Sequence, residues 1–324
     1  MSGSADTGNV AMVDAAMPGI RFKPNIPRSL LIGLLLGLLG GIGLAFVVER
    51  LDDTLKSPED IERLLRLPVV GVVPKVDEDI VDTIAEDQRS SFAEAYRSLR
   101  TGLQYSSEAG SPRTLLVTST LEGEGKSTTA LMLARKFAQL GMRVLLIDAD
   151  LRKPSLHKRL GLDNELGLSG YLTGQVDGPM LFQRGGVDNL TVITSGEVPP
   201  NPAELLSAPR FRSLLTVAGH SYDQIILDAP PLLGLADVPI ISTTTDGTLL
   251  VIEAGRGRVG AIRAGLKRLF AVRARLVGTV LVKYDPRTAS YGYGYGSGYA
   301  DYYYYQYAEA SGAERGRRRR LLKG

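Results

Sequence analysis

Residues that could hold a phosphate chain occur together between positions 118 and 129. The run reads Thr118-Ser-Thr-Leu-Glu-Gly-Glu-Gly-Lys-Ser-Thr-Thr, and a stretch with helical spacing of apolar residues follows it. Its glycines let backbone N–H groups turn toward an anion at a helix N-terminus, its lysine can reach the β- and γ-phosphates, and its serine can hold Mg²⁺. Thr120 stands where the strict consensus has glycine. The pattern predicts a P-loop that binds ATP and Mg²⁺ through Gly123, Glu124, Gly125, Lys126, Ser127 and Thr128.

Three aspartates follow two later apolar runs. Asp148 and Asp150 come directly after the run at 144–147, and Asp228 follows the run at 225–227. Because the carboxyl ends of parallel strands meet at one edge of a sheet, where ligands bind, we expect these aspartates to lie near the P-loop. We predict that Ser127, Asp150 and Asp228 hold the Mg²⁺, with Asp228 in the Walker B role.

Ten of the fourteen tyrosines lie between Tyr284 and Tyr307, and glycines interleave the first half of this segment. A segment with few aliphatic anchors and high backbone entropy is expected to form a flexible tail. One interpretation is a low-complexity adhesive tail, and the other is a set of phosphate acceptors for the ATP site. The candidate acceptors are Tyr291, Tyr293, Tyr295, Tyr299, Tyr302, Tyr303, Tyr304, Tyr305 and Tyr307.

Phosphate transfer to a tyrosine requires loss of the phenolic proton. Because the pKa of the phenol is near 10, forming the phenolate at pH 7 costs about 4 kcal/mol. A base or a nearby cation must help, and Asp148 is our candidate base, with Asp150 in the Mg²⁺ shell. The predicted catalytic set is therefore Lys126, Asp148, Asp150 and Asp228, although the sequence alone does not order the roles of the first two aspartates.

Alternating apolar and helical segments predict the fold that positions these residues. Apolar runs at 115–118, 144–147, 190–193, 225–227, 248–252 and 277–282 alternate with helical stretches. This order is typical of an α/β fold with a doubly wound, mostly parallel sheet, as in P-loop NTPases. A helix is predicted at 92–105. The helix start at Ser57-Pro-Glu-Asp and the short strand at 68–74 lie in a segment that we interpret as a linker.

Nineteen residues at 30–48 carry no charge and include eight leucines. As a helix they span about 28 Å, close to the thickness of a bilayer core, so we predict a membrane span. Gly33, Gly37, Gly41 and Ala45 recur every four residues, which would let another helix approach closely, although glycine is common in membrane helices in any case. Because ATP is cytoplasmic, residues 50 onward are expected on the cytoplasmic side.

The composition of the chain argues against nucleic-acid binding and against a transition-metal site. Much of the net charge of +3 sits in a basic run at 315–323, so the body is close to neutral and lacks the clustered cations of a nucleic-acid groove. The basic run is equally suited to binding anionic lipid and to being solvated. The chain has no cysteine, and His157 and His220 lie far apart, so we assign no transition metal.

The motifs resemble those of bacterial tyrosine kinases (BY-kinases) joined to the C-terminal part of a polysaccharide co-polymerase of the Wzz and Wzc type. The P-loop, Asp148-x-Asp150-x-Arg152 and Asp228-x-Pro230-Pro231 are similar to the three nucleotide motifs of that family. Segments at 9–16, 24–28 and 51–60 resemble the co-polymerase part around its second membrane helix. The resemblance implies ATP-dependent tyrosine autophosphorylation and adds Arg152 to the nucleotide-binding residues.

The resemblance also implies partners. It implies a homo-oligomeric ring, such as an octamer, in which each tail enters the active site of the neighbouring subunit. Glu94-x-x-Arg97-x-x-Arg100 matches the family's helical motif for ring assembly, whereas without the resemblance it favours an ordinary charged helix with i, i+3 pairs. Further implied partners are the polysaccharide polymerase and export machinery, a tyrosine phosphatase and the bacterial cytoplasmic (inner) membrane, with no nucleic acid.

The sequence departs from the family pattern at two places. Glu122 stands where the family often has proline, and Val282-Lys283 stands where related ATPases often carry an asparagine that reads adenine. The residues that recognise the base are therefore not assigned from the sequence.

The predicted organisation has five parts: an extracytoplasmic stub of the co-polymerase domain at 1–28, a membrane helix at 29–49, a cytoplasmic linker at 50–88, the kinase domain at 89–285 and the tail at 286–324.

Two other functions fit parts of the pattern. One is a partitioning ATPase of the Min and Par class, which usually has a second lysine early in its P-loop, whereas positions 121–124 contain none. The other is a non-catalytic co-polymerase whose ATP site only controls assembly.

Overall fold

A computed structural model of the chain describes residues 25–76, 87, 90–106 and 110–285. The chain divides into two compact units, with the boundary between Asp52 and Asp53. The first unit contributes one described helix, and the second contains the sheet and the other helices.

The described part of the first unit is the helix α1, Ile26–Leu51. Its stretch Ile26–Val48 has 23 residues, a mean hydropathy of 2.6 and no buried residue. At 1.5 Å per residue this stretch is about 34 Å long, so its length and composition suffice to cross a bilayer core. The predicted span at 30–48 lies within it. Side chains added at Gly33, Gly37 and Gly41 would meet no atom of the described residues within 4 Å.

The second unit is built on an eight-stranded sheet with the order β1-β8-β7-β2-β6-β3-β5-β4. All neighbouring strands are parallel except β4 and β5, which are antiparallel. The strands are β1 Val69–Pro74, β2 Thr114–Ser119, β3 Val144–Asp148, β4 Gln183–Arg184, β5 Leu190–Ile193, β6 Gln224–Asp228, β7 Gly247–Glu253 and β8 Leu276–Tyr284. This confirms the predicted doubly wound, mostly parallel sheet.

Helices cover both faces of the sheet. They are α2 Pro58–Leu65, α3 Ser91–Gln104, α4 Lys126–Ala138, α5 Leu156–Leu160, α6 Leu168–Thr173, α7 Pro202–Ser207, α8 Pro209–Ser221, α9 Asp237–Ser242 and α10 Val259–Ala271, with a 3₁₀ turn at Gly178–Leu181. Alternate strand residues point to opposite faces. Leu115 and Val117 pack with α3 and α4, whereas Leu116 packs in the core that contains α8 and α9.

Part of the predicted linker belongs to the sheet unit. Ser57 and Asp60 form a capping box that begins α2, and β1 pairs in parallel with β8 at the edge of the sheet. Leu55 and Ile61 are fully buried against α10 and the outer strands. The described residues from 53 to 74 are therefore part of the folded sheet unit. The apolar side of α2 packs against α10, and β1 adds a strand beside β8.

The carboxyl ends of β2, β3 and β6 lie side by side at the centre of the sheet. β6 is flanked by β2 and β3, and Asp148 of β3 is in register with Asp228 of β6. The P-loop leaves β2 at the same edge and enters α4. The fold thus brings the three predicted motifs to one place.

Candidate active site

The P-loop turns through two glycines with left-handed backbone. Gly123 has φ 82° and Gly125 has φ 86°, and Gly125 is the N-cap of α4. Residues with a side chain rarely adopt these angles, so glycine is required at both positions. The first N–H groups of α4 have no partner within the helix and are available for an anion.

A cavity of about 730 Å³ opens beside this loop. That volume is within the range of small-molecule sites. The predicted nucleotide-binding residues that line it are Gly123, Gly125, Lys126, Ser127, Thr128 and Arg152. Its apolar wall includes Val73, Phe92, Tyr96 and Val282. The ring of Phe92 packs edge-to-face on that of Tyr96, with 5.1 Å between the ring centroids.

Lys126 lies between two aspartates. Its Nζ is 2.8 Å from Asp150 Oδ2 and 3.8 Å from Asp228 Oδ1, and all three side chains are buried. Burial opposes the charge of the ammonium, but the nearby carboxylates of Asp228 and Asp150 outweigh this effect and raise the pKa of Lys126. The predicted convergence of these side chains is therefore present.

Asp228 is a buried carboxylate with unsatisfied oxygens. It is fully buried, and among the described residues neither of its oxygens accepts a hydrogen bond of good geometry. Burial raises the pKa of Asp228, while Lys126 and the Ser127 hydroxyl act in the opposite direction. Such orphaned oxygens beside a serine hydroxyl fit a Mg²⁺ ion held with its water shell. Within the described residues there is no group of three or more His, Cys, Asp or Glu placed to bind a metal, so such an ion needs oxygens from the nucleotide as well.

Asp148 is fully buried and does not line the cavity. Its carboxylate accepts backbone N–H groups from Asp150, Ser155 and Leu156 at 3.1 to 3.2 Å. Burial, followed by the charge of Asp228, raises the pKa of Asp148 to about 8. Asp150 does line the cavity, and its Oδ1 accepts the N–H groups of Arg152 and Lys153.

Glu124 points away from the cavity. Its side chain is fully buried, and its Oε2 accepts the Leu121 N–H at 2.7 Å, which ties the loop to itself. Burial raises the pKa of Glu124 to about 7. Of the residues predicted to bind the nucleotide, Glu124 can thus offer its backbone N–H, while its carboxyl group shapes the loop.

Arg152 is anchored by a residue that sequence reasoning missed. Its guanidinium donates two hydrogen bonds to Asp237, at 2.8 and 3.0 Å, and Asp237 is fully buried. Glu122 and Lys153 form a second bridge of 2.7 Å at the cavity, and both are exposed. These partners are 85 and 31 residues apart in the chain, so no local spacing could have identified them.

The predicted assembly motif lies on α3. Arg97 pairs with Glu94 within the helix, and Arg100 donates to the Lys136 carbonyl at 3.4 Å. In the single chain these are i, i+3 and helix–helix contacts, and assembly through Glu94, Arg97 and Arg100 stays a prediction. The nine candidate acceptor tyrosines lie outside the described residues.

The fold and the site define a P-loop nucleotide-binding protein. Residues 115–292 match the model of the CobQ/CobB/MinD/ParA nucleotide binding domain. The chain is 39% identical over 195 residues to the tyrosine-protein kinase YwqD of Bacillus subtilis, covering 60% of this chain and 82% of YwqD. It is 30% identical over 304 residues to the tyrosine-protein kinase Etk of Escherichia coli, covering 87% of this chain and 42% of Etk. The chain belongs to the bacterial tyrosine kinase family.

Solved structures agree with this assignment. The kinase domain of Escherichia coli Etk matches with a TM-score of 0.68 and 31% identity, covering 75% of this chain and all of that domain. The chain spans less than half the length of Etk itself. The structural match covers the kinase domain of Etk.

Proposed function

We propose that the protein is a membrane-anchored, ATP-dependent kinase that phosphorylates the tyrosine cluster of its own C-terminal tail. The observation that carries this proposal is the meeting of Lys126 with Asp150 and Asp228 within 4 Å at the P-loop cavity. The closely spaced tyrosines between Tyr291 and Tyr307 supply the acceptor. Its relatives named tyrosine-protein kinases support the same reaction class.

The phosphate chain of ATP binds to the N–H groups of the P-loop and of the first turn of α4. Lys126 leaves Asp150 and contacts the β- and γ-phosphates, and its release frees an oxygen of Asp150 for the cation shell. When bound, Mg²⁺ neutralises charge that develops on the transferring phosphate. Ser127, Asp150 and Asp228 are the residues that hold it. The apolar wall around Phe92 and Val282 suits the purine ring.

Transfer joins the phenolic oxygen of a tail tyrosine to the γ-phosphorus. The bond from that phosphorus to the β–γ bridging oxygen breaks, and ADP leaves. The phenolic proton passes to Asp148, whose pKa of about 8 is close to the operating pH of a general base. Asp148 does not line the cavity and its Oδ1 accepts the Asp150 N–H at 3.2 Å, so the proton has to pass Asp150 to reach it.

The length of the tail permits phosphate transfer at its own active site or at that of a neighbouring subunit. A glycine-rich segment of 23 residues has a root-mean-square span of roughly 26 Å and several times that when extended. Each tail then serves the active site of the next copy in a homo-oligomeric ring, with Glu94, Arg97 and Arg100 at the contact.

The apolar helix α1 supports an anchor in the cytoplasmic membrane, with the sheet unit in the cytoplasm where ATP is available. At that place the kinase regulates the polymerisation and export of an exopolysaccharide or capsule, and a tyrosine phosphatase reverses the modification. The polymerase and the export machinery are the proposed partners.

Radiolabelled ATP with three proteins tests the proposal. These are the unaltered chain, Lys126→Met, and a variant with the nine tail tyrosines changed to phenylalanine. Label on the unaltered chain alone supports the kinase. Equal label on the phenylalanine variant contradicts the tail as acceptor, and ATP hydrolysis with no protein label favours an ATPase switch of the Min and Par class.

A further inference from the structure

Five basic side chains line the cavity, and four of them are neutralised. The five are Lys126, Arg152, Lys153, Arg159 and Lys283. Lys126 pairs with Asp150, Arg152 with Asp237, Lys153 with Glu122 and Lys283 with Glu253. Among the described residues, Arg159 forms no ion pair, and its one side-chain hydrogen bond goes to the neutral hydroxyl of Thr128 at 2.7 Å. Arg159 therefore brings to the cavity a guanidinium that forms an ion pair with no described carboxylate.

Arg159 lies at the end of the cavity that is next to the P-loop, where phosphate is proposed to bind. Arg159 lies in α5, and its partner Thr128 is the third residue of α4, beside Ser127 and Lys126. Its charge also acts across the cavity: burial raises the pKa of Asp228 and that of Tyr96, and the guanidinium of Arg159 offsets a part of both increases. A guanidinium held by the first turn of α4 is thus close to the N–H groups that receive an anion.

The geometry points to Arg159 as a further nucleotide-binding residue, whose guanidinium donates to the phosphate chain of a nucleoside di- or triphosphate in place of the Thr128 hydroxyl. This inference rests on the proposed ATP site. A planar guanidinium matches phosphate oxygens with two parallel hydrogen bonds, and charge-assisted bonds are stronger than a bond to a neutral hydroxyl. The exchange of partners is therefore favourable when the nucleotide enters.

Arg152 differs from Arg159 in this respect. Its guanidinium is fixed by two bonds to the buried Asp237, so turning it toward phosphate would leave a buried carboxylate unpaired. Turning Arg159 toward phosphate has no such cost, because it breaks only an exposed hydrogen bond to the neutral hydroxyl of Thr128.

A purely structural role is the alternative, in which the Arg159–Thr128 bond only ties α5 to α4. The two roles predict different behaviour with salt. Attraction between an exposed guanidinium and phosphate weakens as ionic strength rises, whereas loss of a tie between helices lowers affinity to the same extent at any salt concentration.

The test is calorimetric titration of the full chain with ADP and Mg²⁺, at low and at high NaCl. The variants are Arg159→Ala and Arg159→Lys, with Lys158→Ala as the matched control, since Lys158 is a neighbouring exposed lysine that does not line the cavity. At low salt, Arg159→Ala should bind ADP about tenfold more weakly, as expected for one lost charge-assisted bond at an exposed site. The difference should shrink at high salt, Arg159→Lys should keep part of the affinity, and Lys158→Ala should match the unaltered chain.

The inference is overturned when Arg159→Ala binds ADP as tightly as the unaltered chain, or when its loss of affinity is the same at both salt concentrations. Failure of the unaltered chain to bind ADP at all contradicts the proposed ATP site instead. The two failures are thus distinguishable in one set of titrations.

Discussion

Lys126 Nζ lies 2.8 Å from Asp150 Oδ2, in a buried ion pair at the mouth of the P-loop. The lysine that must contact phosphate is thus already neutralised by an aspartate that is proposed to join the cation shell. Nucleotide binding therefore exchanges one set of charge pairs for another, and each partner can be tested alone.

Replacing Lys126 by methionine should destabilise the protein more at pH 8 than at pH 5. The change leaves Asp150 and Asp228 buried without their cation, and breaking a buried pair costs about 3 kcal/mol or more. Because burial raises the pKa of Asp228, protonation of this carboxyl group at lower pH relieves the cost. Thermal unfolding at both pH values measures the effect. The double variant Lys126→Met, Asp150→Asn should recover part of the loss at pH 8, and a loss that is independent of pH would be evidence against the ion pair.

Glu124 should make the stability of the P-loop region depend on pH. Its pKa is raised from 4.5 to about 7 in the folded chain, so the folded state binds the proton more tightly than the unfolded state. Its contribution is fully present below pH 4.5 and is lost as the pH rises through 7, by up to about 3 kcal/mol. As the pH rises from 5 to 8, the free energy of unfolding of Glu124→Gln should therefore increase relative to that of the unaltered chain. If the free energies of unfolding of the two proteins change with pH in the same way over this range, the raised pKa is ruled out.

Replacing each of the two aspartates of the Asp148-x-Asp150 motif by asparagine should change autophosphorylation in a different way. Asp148→Asn removes the proposed base and should lower the rate of autophosphorylation by about 100-fold or more, with ADP affinity almost unchanged. Asp150→Asn should instead raise the Mg²⁺ concentration needed for half-maximal rate. Rate measurements over a Mg²⁺ titration separate the two effects, and the reverse pattern would exchange the roles.

The pair that Arg152 forms with the buried Asp237 should matter more than an exposed pair of similar geometry. Asp237→Asn removes a buried charge partner and should cost about 1–3 kcal/mol in the free energy of unfolding. The matched control is Asp223→Asn, because Asp223 pairs with Arg143 at 2.7 Å at an exposed site. That change should cost less than about 1 kcal/mol. Equal costs for the two variants would show that burial does not strengthen the first pair.

Phosphate transfer from one subunit to the tail of another can be tested by mixing two variants. Lys126→Met with its tail intact should gain phosphate when it is mixed with an active chain whose tail tyrosines are phenylalanine. Neither protein should be labelled by itself. Mass spectrometry distinguishes the two chains, and an unlabelled Lys126→Met chain in the mixture would indicate transfer within one subunit.

The core strands were predictable because parallel strands buried on both faces appear in the sequence as continuous apolar runs. The run at 190–193 coincides with β5, and the other predicted runs differ from their strands by one or two residues at one or both ends. The order of P-loop, Asp148-x-Asp150 and Asp228 along the chain was likewise sufficient to predict their convergence, since each follows a strand whose carboxyl end reaches the same edge.

Contacts over long sequence separation were not predictable. The segment with α2 and β1 was interpreted as linker because its partner strand β8 lies some two hundred residues later. The inward orientation of Glu124 and the anchoring of Arg152 by Asp237 depend on side-chain packing, which leaves no pattern in the local sequence. Short β4 has only two residues and carries no strand signal at all.

Mass spectrometry of the intact protein after incubation with Mg²⁺ and ATP shows whether the chain phosphorylates its own tail. The unaltered chain should gain several phosphate groups on its tail, while Lys126→Met incubated alone should gain none. An unaltered chain that binds ADP yet gains no phosphate, or one whose phosphates all lie outside 284–307, would contradict autophosphorylation of the tail.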